Sequence, residues 1–154
     1  MNHAITFPAA LAPGRQQMDE ISQVLEEVLG TKIDVTEFNR PVKDGVGSVV
    51  YWWRTASADI IRGKVAFQYV QLQMVFKPVV GRMQIDFLCL PEGQKRQGKG
   101  KRVLDTIIGI GRRLGYSRID IEAIEGSFAF WKAVGFRQLD VNRTSFPQPM
   151  FYDL

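Results

Sequence analysis

The stretch Leu88-Cys89-Leu90-Pro91-Glu92-Gly93-Gln94-Lys95-Arg96-Gln97-Gly98-Lys99-Gly100 holds the residues best suited to chemistry. Apolar, strand-forming residues run into a basic loop punctuated by glycine, and the pattern that follows is helical. Backbone N–H groups at a helix start carry partial positive charge and bind phosphate. Gly98 and Gly100 lack a Cβ, so a pyrophosphate can approach the backbone there. Gly93 to Lys99 also fits G-x-x-x-x-G-K, the start of a nucleotide-hydrolase loop. The next residue is Gly100, however, where Mg²⁺ coordination needs a Ser or Thr hydroxyl.

Other chemistries find little material. The one cysteine, Cys89, cannot form an internal disulfide, and the one histidine, His3, lies in an N-terminal stretch expected to fray. Ser-His-Asp or Cys-His catalysis and a histidine zinc site are poor fits. Cys89 reads as a small buried apolar residue. The net charge is +4 and it is unevenly spread. From Glu92 to Arg118, Lys95, Arg96, Lys99, Lys101, Arg102, Arg112, Arg113 and Arg118 face only Glu92 and Asp105. An anionic ligand belongs near this segment. Arg112, Arg113 and Arg118 sit at the far end of the helix, where their charge complements the helix dipole without a ligand.

The elements that must position this loop can be read from periodicity. Arg15 to Leu29 is an amphipathic helix, with Met18, Ile21, Val24, Leu25 and Val28 on one side. Thr31 to Phe38 reads as a short strand, and Asn39 to Gly47, with Pro41, Gly45 and Gly47, as a loop. Ser48 to Arg54, Lys64 to Lys77 and Arg82 to Leu90 read as strands of an antiparallel meander, with a bend or bulge expected near Tyr69. Trp52 and Trp53 then point to opposite faces, one into the core. Gly98 to Leu114 is a helix, Arg118 to Ala123 a strand, Ser127 to Val134 a short helix, and Phe136 to Val141 and Met150 to Leu154 strands. The fold class is α/β, with a mixed, mostly antiparallel central sheet flanked by helices.

At 154 residues with 45% hydrophobic and 23% charged residues, the chain is expected to form one globular domain, 1–154, with 1–14 frayed. No apolar run reaches about 18 residues, so no membrane helix is expected. A secretory signal is also not expected, and the lone cysteine favours the cytoplasm.

The motif Lys95-x-x-Gly98-x-Gly100 resembles the (Gln/Arg)-x-x-Gly-x-(Gly/Ala) loop of the GNAT superfamily of N-acetyltransferases. The segment Phe130-Trp131-Lys132-Ala133-Val134-Gly135-Phe136 resembles that family's aromatic-Tyr-x-(Lys)-x-Gly-Phe ending, and the likeness spans about Ser48 to Leu154. It implies an acyl-CoA-dependent N-acyltransferase that moves acetyl from acetyl-CoA to a primary amine of a small molecule or protein by direct attack. Acetyl-CoA is implied as co-substrate, without a metal. The strand before the loop would splay from its neighbour and pair the pantetheine arm along Leu88, Cys89 and Leu90. Backbone N–H groups of Lys95, Arg96, Gln97, Gly98, Lys99 and Gly100 would meet the pyrophosphate, and Lys99, Lys101 and more weakly Lys132 would reach phosphates. Ser127 and Trp131 fall beside the cofactor in this alignment.

The likeness departs from the family at the reacting groups. The usual acid, a Tyr, falls on Trp131, whose indole cannot protonate a thiolate. The usual Asn falls near Ile124. A strand glutamate base in some members matches Gln84. Asp86 shares that strand face and is the first candidate base, with Glu122 the second. Rival readings are a catalytically impaired acyl-CoA-binding or interaction module and, with less support, a nucleic-acid-binding protein; no zinc or helix-turn-helix pattern favours the latter. The acceptor, the acyl chain and the oligomeric state, homodimer included, stay open.

Overall fold

The computed structural model describes residues 8–43, 46–55, 70–89 and 98–154. Helix α1 spans Arg15–Leu29 and buries Met18, Ile21, Val24, Leu25 and Val28, the face set by the 3.6-residue period. Gly30 ends it at φ 68°, a left-handed conformation that glycine adopts without a Cβ penalty. Strands β1 (Ile33–Lys43) and β2 (Val46–Thr55) form a hairpin, and β3 (Val70–Lys77) and β4 (Arg82–Leu88) continue the meander. Helix α2 (Lys99–Leu114) crosses to β5 (Arg118–Ala123). Helix α3 (Phe128–Ala133), β6 (Arg137–Gln138) and β7 (Gln148–Asp153) complete the described chain.

The strands lie in one sheet in the order β1-β2-β3-β4-β5-β7-β6. Every neighbouring pair is antiparallel except β4 and β5, which are parallel. The one parallel pair is the one joined through α2, which is long enough to carry the chain back to the same end of the sheet. The expected mixed, mostly antiparallel sheet with flanking helices is therefore what forms.

One sheet face carries Tyr51, Trp53, Leu72, Met74, Phe76, Met83, Ile85, Ile119 and Ile121 into a continuous core with α1 and α2. Trp53 is fully buried and its indole N–H donates to the Met18 carbonyl at 3.4 Å. Trp52 points to the other face, as alternation requires. Helices α1 and α2 are joined at their exposed edges by Arg113–Glu20 at 2.8 Å and by Arg102–Glu27. At Gly111, α2 comes so close to the sheet that an added Cβ would lie 2.6 Å from the Met83 sulfur and 2.8 Å from a Leu154 methyl.

Three expectations are corrected. Asn39 to Gly47 is not a loop: β1 runs on to Lys43 and pairs with β2 through Arg40↔Ser48 and Lys43↔Val46. Pro41 is tolerated because β1 is an edge strand and the register shifts between Arg40 and Lys43, where no ladder donor is needed. The strand expected over Phe136 to Val141 is only Arg137–Gln138. Cys89 is exposed rather than buried, because β4 ends at Leu88 and Cys89 lies beyond the core. The bulge expected near Tyr69 and the strand residues before Val70 lie outside the described residues, as does His3.

Candidate active site

The register of β3 on β4 breaks between Gln73 and Met74. Gln73 faces Phe87 while Met74 faces Ile85, so Asp86 is an extra residue on β4. A bulge of this kind bends its strand and raises its twist. On the other side of β4, the parallel ladder with β5 runs from Arg82↔Arg118 to Ile85↔Ile121 and stops. β5 itself continues through Glu122 and Ala123, paired only with β7. Among the described residues, no ladder pair joins Asp86, Phe87 or Leu88 to β5. The ladder between the two central parallel strands therefore ends at the bulge, which leaves a gap in the pairing between Asp86–Leu88 of β4 and Glu122–Ala123 of β5 among the described residues.

Helix α2 starts beside this gap in the sequence. Gly98 precedes it at φ 72°, a conformation that requires glycine, and no side chain caps the helix start. The Arg102 N–H is bonded to the Gly98 carbonyl at 3.1 Å. The N–H groups of Gly98, Lys99, Gly100 and Lys101 precede it and have no partner within the helix. Of the predicted cofactor residues, Leu90 on the pantetheine strand and Lys95, Arg96 and Gln97 of the phosphate loop lie outside the described residues. Lys99 is half-buried, and Lys101 is exposed and paired with Asp105 at 2.9 Å. Leu88 is half-buried against the core and Cys89 follows it, its N–H donating to the Gln71 carbonyl at 2.8 Å.

Asp86 and Glu122 both lie on the sheet face away from α1 and α2. The registers align Val75, Gln84, Asp120 and Phe151 across that face, and Glu122 follows Asp120 by two residues. Asp86 accepts hydrogen bonds from the side-chain amides of Gln73, at 2.9 Å, and Gln84. Gln84 accepts in turn from Lys77 Nζ at 3.2 Å. Arg82 pairs with Asp120 at 2.6 Å. Glu122 is exposed, with no hydrogen bond or ion pair among the described residues. Sequence reasoning missed Gln73: its contact with Asp86 depends on strand register and a bulge, and no residue pattern announces either.

The C-terminal candidates divide. Trp131 is 6% exposed and packs edge-on against Phe130 and Phe136, both at 5.1 Å between centroids, so its ring is part of the core. Ser127 Oγ donates to the Ile124 carbonyl at 3.3 Å at the start of α3. Lys132 is exposed. Tyr116 is buried against Phe76, and its hydroxyl has no hydrogen-bond partner among the described residues. Burial, with Tyr51 nearby, pushes its phenol far above the ordinary value, so it stays protonated and is a weaker acid than a free tyrosine. Arg113 and Arg118 are engaged by Glu20 and Asp153. Among the described residues, no three His, Cys, Asp or Glu side chains gather into a group that could hold a metal. No described helix is long and apolar enough to cross a membrane.

No family model matches the sequence, and no curated protein matches it. Solved structures of N-acetyltransferases are similar to it at low identity. They include the PaiA N-acetyltransferase of Thermoplasma acidophilum in complex with coenzyme A, 14% identical over 70% of this chain with a TM-score of 0.48. The present chain spans 61% of that protein's length. An acetyltransferase of Bacillus cereus is 14% identical, with 94% of this chain and 96% of that one covered and a TM-score of 0.47. A GNAT family acetyltransferase of Elizabethkingia anophelis with acetyl-CoA bound is 13% identical, with 78% and 98% covered and a TM-score of 0.46.

Proposed function

We propose that the protein is an acyl-CoA-dependent N-acyltransferase of the GNAT type that acetylates a primary amine. The observation that carries this reading is the parting of β4 from β5 after Ile85↔Ile121, next in sequence to an uncapped glycine-led helix start. An extended amide-bearing arm can pair with backbone groups in such a gap, as an added strand does. A pyrophosphate at its end suits the free N–H groups of Gly98 to Lys101. Acetyl-CoA would supply the thioester carbonyl that a neutral amine attacks, with the thiolate leaving. Within this chain, Asp86 is the first candidate to take the amine's proton, directly or through water, and Glu122 the second.

Isothermal calorimetry with acetyl-CoA tests the binding half. Saturable binding is expected, and no heat at millimolar ligand would sink the reading. A second reading, binding without turnover, is favoured by Trp131, which stands at the usual Tyr position and is packed in the core. An acceptor panel assayed by thiol release separates the two. Turnover that is lost in Asp86→Asn or Glu122→Gln rejects the second reading.

A further inference from the structure

We infer that Gln73 and Gln84 are positioning residues that hold the Asp86 carboxylate at the mouth of the β4–β5 gap. This rests on the acyltransferase reading. Asp86 is the bulged residue of β4 and is exposed. An unheld carboxylate there would sample several rotamers, and a base must be within hydrogen-bond reach of the proton it takes. Instead, each oxygen has its own donor: Gln73, one strand away, on Oδ2, and Gln84, two residues back, on Oδ1. The orientation of the Gln84 amide is itself fixed. Lys77 donates to its Oε1, so its Nε2 must turn toward Asp86.

The relay Lys77–Gln84–Asp86 also brings a cation's polarisation to the carboxylate without placing the cation on it. The other charged groups of β4 and β5 on this face are Arg82, engaged by Asp120, Arg118, engaged by Asp153, and Glu122. Glu122 has no such support among the described residues. The arrangement therefore selects Asp86 over Glu122 as the group built to keep one geometry.

Two measurements test this. In the free protein, the side-chain amide resonances of Gln73 and Gln84 are recorded with and without Asp86→Asn. Both amides should move; unchanged amides overturn the proposal whether or not the protein turns over. In turnover, Gln73→Leu should lower kcat about tenfold while leaving the KM for acetyl-CoA unchanged. In the Asp86→Asn background the same substitution should have no further effect, because the two act as one unit. An equal fold-loss in both backgrounds would mean that Gln73 acts through the fold alone, and would overturn its positioning role. A protein that binds acetyl-CoA but acetylates no amine defeats the acyltransferase reading instead, and the amide resonances still decide whether the carboxylate is held.

Discussion

At the scale of single residues, the site depends on one backbone conformation and one carboxylate. Gly98 sits at φ 72° with nothing within 4 Å of where a Cβ would be, so a side chain there fails through strain rather than collision. Gly98→Glu adds a negative charge to that strain at the helix start. We expect it to weaken acetyl-CoA binding at least a hundredfold by calorimetry, with the far-ultraviolet dichroism of the folded protein retained. Asp86→Asn should lower kcat by about 10²-fold or more, in the usual range for removing a general base. Glu122→Gln should cost under tenfold; the reverse ranking in a steady-state assay would reassign the base. Gly98 is legible in the sequence as part of a two-glycine pattern before a helix, whereas Asp86 is reached only through the strand face it shares with Gln84. Cys89 was misread for a physical reason: burial depends on where the strand ends, and residue type does not fix that.

At the scale of elements, the helices were legible and the edges were not. Both α1 and α2 follow from a 3.6-residue apolar period bounded by glycine, a local signal. The continuation of β1 through Pro41 was hidden, because proline marks a loop unless the strand lies at an edge, and only the assembled sheet says that it does. The bulge at Asp86 is likewise a property of two strands together. The packing of α2 on the sheet gives a sharp test. A side chain at Gly111 would press on Met83, which is fully buried, and on Leu154, which is half-buried at the edge of the core. Gly111→Val should lower stability by about 1–3 kcal/mol, read as a reduced urea midpoint, since overpacking outweighs any gain in helix propensity. Arg113→Ala, which removes an exposed ion pair between α1 and α2, should cost no more than about 1 kcal/mol.

At the scale of the whole molecule, stability should fall on the alkaline side. Burial raises the phenols of both Tyr51 and Tyr116 above their ordinary value of 10.0, Tyr116 far more. In the folded protein these groups keep their protons, whereas in the unfolded chain they lose them near pH 10. The unfolded state therefore binds fewer protons above that pH, and the unfolding free energy declines as pH rises. Below pH 10 the contribution is complete. Denaturant titrations from pH 8 to 11.5 should show the decline, and it should be shallower in Tyr116→Phe. That variant also removes a buried hydroxyl that has no partner among the described residues, so at pH 8 it should be as stable as the parent or more so.

The parting of β4 and β5 also creates an edge in the middle of a sheet. Exposed strand edges invite pairing with another chain, and proteins blunt them with charge. Here Asp86 on one lip and Glu122 on the other place two carboxylates beside the open backbone. The same side chains proposed for chemistry would then act as gatekeepers against self-association. Neutralising both, in Asp86→Asn with Glu122→Gln, should raise light scattering at high protein concentration, and a molecule that fills the gap should suppress it.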